Sequence, residues 1–256
     1  MRQLCAFLKK ELLEQIRTGK LLILGMLFVA FGVMNPAVAK LTPFLMESFA
    51  ESLEGSGLII TEVTVTAMDS WVQFFKNIPM ALIAFVLLEG GIFTSEYQSG
   101  TLVLTLTKGL ARYKVLISKT VMLLVFWSVG YWLCFGITYC YNAYYWDNSV
   151  AQNLLSSVLL WWLFGIFVIA LLVMFSTAAT NLGGVLLGVG GTVLASYLVG
   201  TLPKIGKWLP TFIADGTSLI YGKKTFDEYL VSLAVTVVFT FAAFAVSLMA
   251  FNKKKI

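Results

Sequence analysis

The sequence predicts an all-α membrane protein that crosses the bilayer six times as one transmembrane domain, residues 1–256. Of its 256 residues, 59% are hydrophobic and 12% are charged, whereas a soluble domain typically has about 25% charged residues. The mean hydropathy is +0.88. Each span requires roughly 20 apolar residues to cross a hydrocarbon core of about 30 Å. We place the spans at about residues 21–38, 71–94, 120–141, 154–175, 182–202 and 229–251.

The region before the first span, residues 1–18, is predicted to be an amphipathic helix that lies in the membrane interface. Its apolar residues recur at every fourth position, and its charged residues lie largely on the other side. The apolar set is Leu4, Leu8, Leu12 and Ile16. A frayed cationic N-terminus is the alternative interpretation. We expect no cleavable signal, because the first span follows directly after Gly19 and Lys20.

Two long polar segments, residues 40–70 and 203–228, are predicted to be outer loops. The first is acidic, and its residues 44–53 fit a short helix on the membrane surface. The second contains residues 209–221, which are too short and too broken to span and fit a re-entrant or surface-lying segment. With six spans, 12 of the 18 Lys and Arg residues fall on the side of the two termini. Because Lys and Arg favour the inner side, we predict a multi-pass protein of the bacterial cell membrane with both termini in the cytoplasm.

The composition excludes several kinds of chemistry. The chain contains no histidine, which removes His-dependent metal sites, His-containing triads and His proton relays. Cys134 and Cys140 lie in one span on different helix faces and are predicted to be packing residues. The net charge of +5 comes from basic residues at span ends, which suits anionic lipid headgroups rather than nucleic acid. We predict no catalytic residue and no metal site.

Residues 216–225 are similar to a nucleotide-binding P-loop but do not fit it. Five residues rather than four separate Gly216 from Gly222, and a second lysine follows Lys223. A P-loop also follows a buried strand, and none is predicted here. We therefore predict that this chain holds no cofactor and does not bind ATP by itself.

A carboxylate, Glu89, lies in apolar sequence about two turns before Glu96, so a helix would place both on one face. An acidic residue in a membrane span is costly and marks a functional site by default, which makes Glu89 a candidate path or gating residue. The alternative is an interfacial residue close to the cytoplasm. An intramembrane enzyme would need a nucleophile with a base, or a metal site, and one carboxylate without histidine does not provide either.

The fifth span has a small residue at every fourth position, which keeps these residues near one helix face. Such a face lets another helix backbone approach closely, so we predict tight helix packing here, either within the chain or against a second copy. The set is Gly184, Gly188, Thr192, Ser196 and Gly200.

The central polar stretch, residues 89–119, separates the second and third spans and has a basic bias. Gly100 and Thr101 can start a short helix, after which apolar leucines alternate with polar or β-branched residues. Arg112 and Lys119 mark the return to the membrane. An ordinary amphipathic surface loop is the alternative interpretation of this pattern.

The same stretch resembles the permease subunits of type-2 ATP-binding-cassette exporters. The matching residues are 96–101 (Glu-Tyr-Gln-Ser-Gly-Thr), 104–108, 111–116 and Lys119. They correspond to an E-x-x-x-G-T turn and its basic continuation, which that family combines with six spans after an amphipathic N-terminal helix. Gly109 stands where the family often has proline, a small departure that leaves the turn intact.

The resemblance implies a coupling helix at residues 100–108, within a coupling region at 96–119, that docks into a separate ATPase subunit. ATP and Mg would be bound by a dimer of that partner, and two permease subunits, identical or closely paralogous, would form the membrane unit in contact with lipid. The residues implied in the ATPase contact are Glu96, Ser99, Gly100, Thr101, Leu104, Thr105, Lys108 and Arg112.

The function that follows is a non-enzymatic transmembrane subunit of an ATP-driven exporter. The outer loops are short, which favours an amphipathic peptide or a hydrophobic small molecule over a polysaccharide as the substrate. A permease-like sensor or immunity protein without transport is the alternative.

Overall fold

The computed structural model describes residues 2–52, 64–107, 109–202 and 204–254, and within these ranges every regular element is helical. Four short 3₁₀ turns accompany the α-helices, at Asn148–Val150, Gly206–Trp208, Pro210–Ala214 and Phe226–Tyr229. The α-helices are α1 (Arg2–Arg17), α2 (Lys20–Ser52), α3 (Ala67–Glu89), α4 (Thr94–Ser99), α5 (Thr101–Thr107), α6 (Arg112–Tyr145), α7 (Leu154–Ala178), α8 (Leu182–Gly200), α9 (Gly216–Ile220) and α10 (Leu230–Lys253).

Six helical stretches in the described ranges are long and apolar enough to cross a membrane, which confirms the predicted fold class. They are formed by α2, α3 with α4, α6, α7, α8, and α10 with the turn before it. We call the two ends of this bundle the α1 end and the re-entrant end. The α1 end carries α1, α4, α5 and the last residues of α10. The opposite, re-entrant end carries the 3₁₀ turns and α9.

The first span differs from its prediction because α2 does not stop at residue 38 but continues to Ser52. The segment predicted as a separate surface helix, 44–53, is therefore the last part of α2 as far as the structure describes it. Pro36 and Pro43 lie inside the helix. A proline removes one backbone hydrogen bond and kinks a helix, but in membrane proteins neighbouring groups satisfy the carbonyl that it leaves without a donor.

The third span also begins earlier than predicted, at Arg112 instead of residue 120. The connection between the second and third spans is correspondingly shorter than the predicted coupling region, 96–119. Lys119 therefore lies inside α6 and not at the start of the span. Its charge is paired with acidic side chains of two other helices.

Helix α7 lies at the centre of the bundle and packs against α6, α8 and α10. Gly165 allows the close approach of α6, because a Cβ atom at this position would overlap the ring of Trp127. Trp127 is itself packed edge-on against Phe28 of α2 and Phe85 of α3. In contrast, α8 buries only Val185 and Val189 among its residues. The core is thus built on α7, with α8 at the periphery.

The segment predicted to be re-entrant or surface-lying, 209–221, packs into the bundle from the re-entrant end. Its apolar residues Ile213, Leu219 and Ile220 are buried, and its turns contact α7, α8 and α10. Ser157 of α7 donates a hydrogen bond to the carbonyl of Gly216 over 3.3 Å. The segment closes one end of the bundle.

Candidate functional site

The connection between α3 and α6 is a compact helical turn at the α1 end. After Glu89 the chain makes one turn, forms α4, and reverses at Gly100, whose φ of 69° lies in the left-handed region. Glycine adopts this conformation without the cost that a Cβ would impose, and it commonly ends a helix in this way. The hydroxyl groups of Ser99 and Thr101 lie 2.9 Å apart across this reversal. The predicted helix at 100–108 is therefore α5, which starts directly after the glycine.

Helix α5 presents one buried and one exposed face. Leu102 is fully buried, whereas 41% of Val103 is exposed. Thr101, the first residue of α5, is also exposed, and so is Ser99 just before the helix. Of the residues predicted to contact a partner, Lys108 lies outside the described residues, and so do the side chains of Leu104 and Thr105. One face of α5 is thus fixed to the bundle, and the other is presented to the surroundings.

A cluster of charged side chains, which we call the ion cluster, joins α1 to the two sides of this connection. It consists of Lys10 and Glu11 on α1, Glu96 on α4 and Lys119 on α6. The Lys119 Nζ atom lies 2.7 Å from Glu11 Oε2 and 3.2 Å from Glu96 Oε1. All three of these residues are buried. Glu96 is therefore enclosed within the chain and not exposed beside α5.

Lys10 closes the ion cluster from the side of α1. Its Nζ atom lies 2.9 Å from Glu11 Oε1, 3.1 Å from Glu96 Oε1 and 2.8 Å from Glu14 Oε2 at the exposed rim. Burial alone would lower the pKa of Lys10, but the hydrogen bonds to Glu14 and Glu11 outweigh it and hold that pKa above its ordinary value. Three carboxylates this close could bind a metal ion, but here the ammonium groups of Lys10 and Lys119 contact all three of them.

The ion cluster shows how α1 is oriented. Phe7, Glu11 and Gln15, each four residues from the next, form the face that is turned to the bundle and buried. The second half of the apolar stripe predicted from the sequence faces away, since 42% of Leu12 and 53% of Ile16 are exposed, whereas Leu4 and Leu8 are partly buried. An amphipathic helix that shows its apolar side to the surroundings is suited to the membrane interface.

Glu89, the predicted path or gating residue, is enclosed at the end of α3. Gln15 of α1 donates a hydrogen bond from Nε2 to Glu89 Oε2 over 2.8 Å. Glu89 has no exposed surface, and 6% of Gln15 is exposed. This pair lies beside the ion cluster and makes a second polar link between α1 and the bundle.

Arg112 links α6 to the end of the last span. Its Nη1 atom donates to the carbonyl oxygens of Phe251, Asn252 and Lys254 over 2.9, 3.1 and 2.8 Å. In turn, Lys254 Nζ donates to the last carbonyls of α7. The carbonyls at a helix C-terminus lack helical partners and carry partial negative charge, so cations stabilise them. Arg112, predicted as a partner contact, is therefore engaged within the chain.

Comparison with known proteins identifies the kind of membrane protein. The family model described as "ABC-2 family transporter protein" matches residues 5–206. The chain belongs to the ABC-2 transporter family. It is 23% identical over 251 residues to the "Uncharacterized transmembrane protein YxlG" of Bacillus subtilis (strain 168), and this alignment covers 96% of both chains. The resemblance drawn from residues 96–119 is thus confirmed. ABC-2 permeases are multi-pass transport subunits that are normally not catalytic.

A polar chain inside the spans, missed by the sequence analysis, joins three helices of this ABC-2 protein. Asn77 of α3 donates from Nδ2 to Asn35 Oδ1 over 2.7 Å, and Asn35 of α2 donates to Thr138 Oγ1 over 2.9 Å. Thr138 of α6 then donates to the carbonyl of Gly32 over 3.0 Å. We call Asn35, Asn77 and Thr138 the amide chain. The asparagines at positions 35 and 77, uncharged polar residues inside predicted spans, were the signal that could have identified it.

Pro36 explains the last of these bonds. In a regular helix the amide of residue 36 would donate to the carbonyl of Gly32, but proline has no N–H. Thr138 supplies the missing donor from the neighbouring helix. Gly32 permits this approach, since a Cβ there would lie only 3.0 Å from Ile137 Cβ.

The small residues of α8, predicted as a packing face, meet partners within the chain at several positions. A Cβ at Gly188 would overlap the Phe175 ring of α7. The carbonyl of Ser196 accepts a hydrogen bond from Thr211 over 3.3 Å, and Gly200 lies next to Thr211 as well. On another face of α8, Gly190 and Gly191 have no atom within 4 Å of an added Cβ.

Proposed function

We propose that this chain is the transmembrane subunit of an ATP-driven exporter, coupled to a separate ATPase subunit that binds ATP and Mg. The observation that carries the proposal is the geometry of α5. Its Leu102 face is fixed in the bundle, its Val103 face is exposed, and both lie at the end where α1 presents apolar residues to the interface. In this proposal the α1 end and both termini lie in the cytoplasm, and the protein resides in the cell membrane.

The ion cluster would transmit the movement of the ATPase. A displacement of α5 acts on α4, and Glu96 of α4 is held by both lysines of the cluster. Separating buried charges leaves them uncompensated, which costs about 3–5 kcal/mol, so α1, α4 and the start of α6 would move together. Arg112 extends this connection to α10. The ATP-driven closure of two ATPase subunits would supply the difference in free energy between two states of the permease.

Two permease subunits, identical or closely paralogous, would enclose the transport path between them. The outer helices α8 and α10 support this arrangement, because little of either is buried within one chain. Large apolar side chains remain exposed on both, including Leu187 and Leu194 of α8 and Phe241 of α10, at 78%, 61% and 70%.

An amphipathic peptide or a hydrophobic small molecule is the proposed substrate. A groove of about 330 Å³ between α3, α7 and α8 supports a substrate with an apolar part, because its lining is almost entirely aliphatic with Tyr197 at one end. A second groove of about 300 Å³ lies between α7, α8 and α10, where Thr192 and Ser196 add two hydroxyl groups.

The test is co-purification with the candidate cassette ATPase in detergent, with Val103→Asp compared against Val150→Asp. The two valines are similarly exposed, 41% and 47%, but Val150 lies in the first 3₁₀ turn, at the re-entrant end. We expect Val103→Asp to retain roughly tenfold less ATPase, equivalent to about 1.4 kcal/mol, and Val150→Asp to behave like wild type.

Equal retention by both variants would contradict the assignment of α5 as the coupling helix. If the ATPase binds but shows no substrate-dependent turnover and no transport in liposomes, the chain is better described as a permease-like sensor or immunity protein.

A further inference from the structure

The buried pair of Gln15 and Glu89 contains two oxygen atoms that lack a donor. Gln15 Nε2 donates to Glu89 Oε2 over 2.8 Å. The other oxygen of each side chain, Gln15 Oε1 and Glu89 Oε1, is buried and has no hydrogen-bond partner in the described part of the chain. Buried polar atoms are nearly always paired, so each exception requires an explanation. A single hydrogen atom between Gln15 Oε1 and Glu89 Oε1 would satisfy both oxygens.

The balance of charge around Glu89 points to the same hydrogen. The two buried carboxylates of the ion cluster, Glu11 and Glu96, are matched by Lys10 and Lys119. Glu89 forms no ion pair with any described residue, and its hydrogen-bond partner is a neutral amide. The charged groups that face it are Lys20 of α2, Lys119 of α6 and Glu11 of α1. An ionised Glu89 would thus be a buried negative charge with no cation in contact, because Lys20 and Lys119 attract it without forming an ion pair.

We propose that Glu89 is a proton-binding site and carries a proton on Oε1 in this conformation. The neutral carboxyl would then donate from Oε1–H to Gln15 Oε1 while Oε2 accepts from Gln15 Nε2, so that acid and amide form a mutual pair. The proton is taken from solvent and no bond between heavy atoms changes. Both unpaired oxygens are satisfied, and no carboxylate is buried without a cation in contact.

This site couples proton binding to the position of α1. Gln15 belongs to α1 and Glu89 to α3, so a movement of α1 away from the bundle would separate the pair and admit water. Water favours the ionised form of a carboxyl group, and the proton would leave. The proton-bound pair therefore stabilises the docked position of α1, whatever the substrate or partner of this chain.

Infrared spectroscopy of the full chain in lipid nanodiscs at neutral pH tests the proposal directly. We expect wild type to show the C=O stretching band of a protonated carboxyl group, and Glu89→Gln to lose that band. Glu14→Gln, which changes an exposed carboxylate of α1, is the matched control and should keep it. Gln15→Leu should shift the band, because the acid loses its amide partner.

Thermal unfolding of the same samples provides a second readout. Glu89→Gln replaces the neutral acid with an amide that can make the same two hydrogen bonds, so its unfolding temperature should match wild type. Glu96→Gln removes a charge that the lysines need and should unfold at a lower temperature. Absence of a protonated-carboxyl band in wild type, or its persistence in a folded Glu89→Gln protein, would overturn the proposal and indicate an ionised carboxylate bridged by water.

Discussion

Two polar assemblies join the helices of this protein, and they use different groups. The ion cluster at the α1 end joins α1, α4 and α6 through four formal charges, of which Lys119 and Glu11 approach within 2.7 Å. The amide chain, deeper in the spans, joins α2, α3 and α6 through Asn35, Asn77 and Thr138, which carry no charge. Both assemblies contain α6, and both bring together residues far apart in the sequence.

The difference follows from the depth at which each assembly lies. A charge away from the ends of a membrane span is costly, and within the spans the helices are joined by neutral amides, a hydroxyl group and a carbonyl left without its donor by Pro36. At the α1 end, ion pairs are possible because each charge is matched. Removing one member of the ion cluster should therefore cost several kcal/mol of stability, because it leaves a buried charge unpaired. Removing one member of the amide chain should cost only about as much as one hydrogen bond.

The largest effect is expected when Lys119 is replaced. Lys119→Met leaves Glu11 and Glu96 buried with one ammonium group between them, and breaking a buried pair in this way costs about 3–5 kcal/mol. Lys9→Met is the control, because Lys9 is exposed on α1, the helix that also carries Lys10 and Glu11. This substitution should change the free energy of unfolding by less than about 0.5 kcal/mol. Reversible unfolding of the purified proteins in mixed micelles measures both values.

Removing the opposite charge should reverse part of this loss. In Lys119→Met combined with Glu11→Gln, the remaining Lys10 and Glu96 balance each other, so the double variant should be more stable than Lys119→Met alone. The double-mutant cycle isolates that interaction. Additive losses would contradict the idea that charge balance, and not packing of the lysine stem, maintains the ion cluster.

A smaller effect is expected in the amide chain. Thr138→Val keeps the shape of the side chain but removes the donor to the Gly32 carbonyl and the acceptor for Asn35. Hydrogen bonds between membrane helices contribute about 0.6 kcal/mol on average and up to roughly 1.7 kcal/mol, so we expect a loss of about 1 kcal/mol in the same unfolding assay.

Pro36→Ala provides the control for this interpretation. Alanine restores the amide N–H that a helix directs at the Gly32 carbonyl. Thr138→Val should therefore cost less in the Pro36→Ala background than in wild type. An unchanged cost would show that Thr138 does not act by satisfying the carbonyl that Pro36 leaves without its helical donor.

The sequence was sufficient to predict the number of spans, because a run of apolar residues of the required length is a local property. The ends of α2 and α6 could not be predicted in the same way. Lys119 looks like the edge of a span when only its neighbours in sequence are considered. In the folded chain, its charge is paired with Glu11, which is 108 residues away in sequence. Lys119 is therefore buried within α6 and does not mark the start of the span.

The candidate site was predictable only where it depends on local properties of the sequence. Gly100 marks a reversal by its own backbone freedom, and α5 follows it as predicted. The positions of Glu96 and Arg112 depend on tertiary contacts, and both bind groups of this chain where the family resemblance implied a partner contact. Asn35 and Asn77 were visible as polar residues in apolar runs, but only the packed helices show that they pair.

The smallest effect is expected at the rim of the ion cluster, where Glu14 contacts Lys10. Burial alone would raise the pKa of Glu14, but the hydrogen bond and charge of Lys10 outweigh it and hold that pKa below its ordinary value of 4.5. Because the folded-state pKa is the lower one, the stabilisation by Glu14 is complete above pH 4.5 and declines as the pH falls through the folded-state value. About half of this side chain is exposed, so the pair contributes only about 0.3–0.5 kcal/mol.

Glu14→Gln should accordingly be less stable than wild type by a few tenths of a kcal/mol at neutral pH. As the pH falls well below 4.5, the two proteins should converge, because wild-type Glu14 then becomes neutral as well. Unfolding curves of both proteins across this pH range measure the difference. If Glu14→Gln lost as much unfolding free energy as Lys119→Met, Glu14 would belong to the interior of the ion cluster. The distinction between a buried, paired interior and a solvated rim would then be wrong.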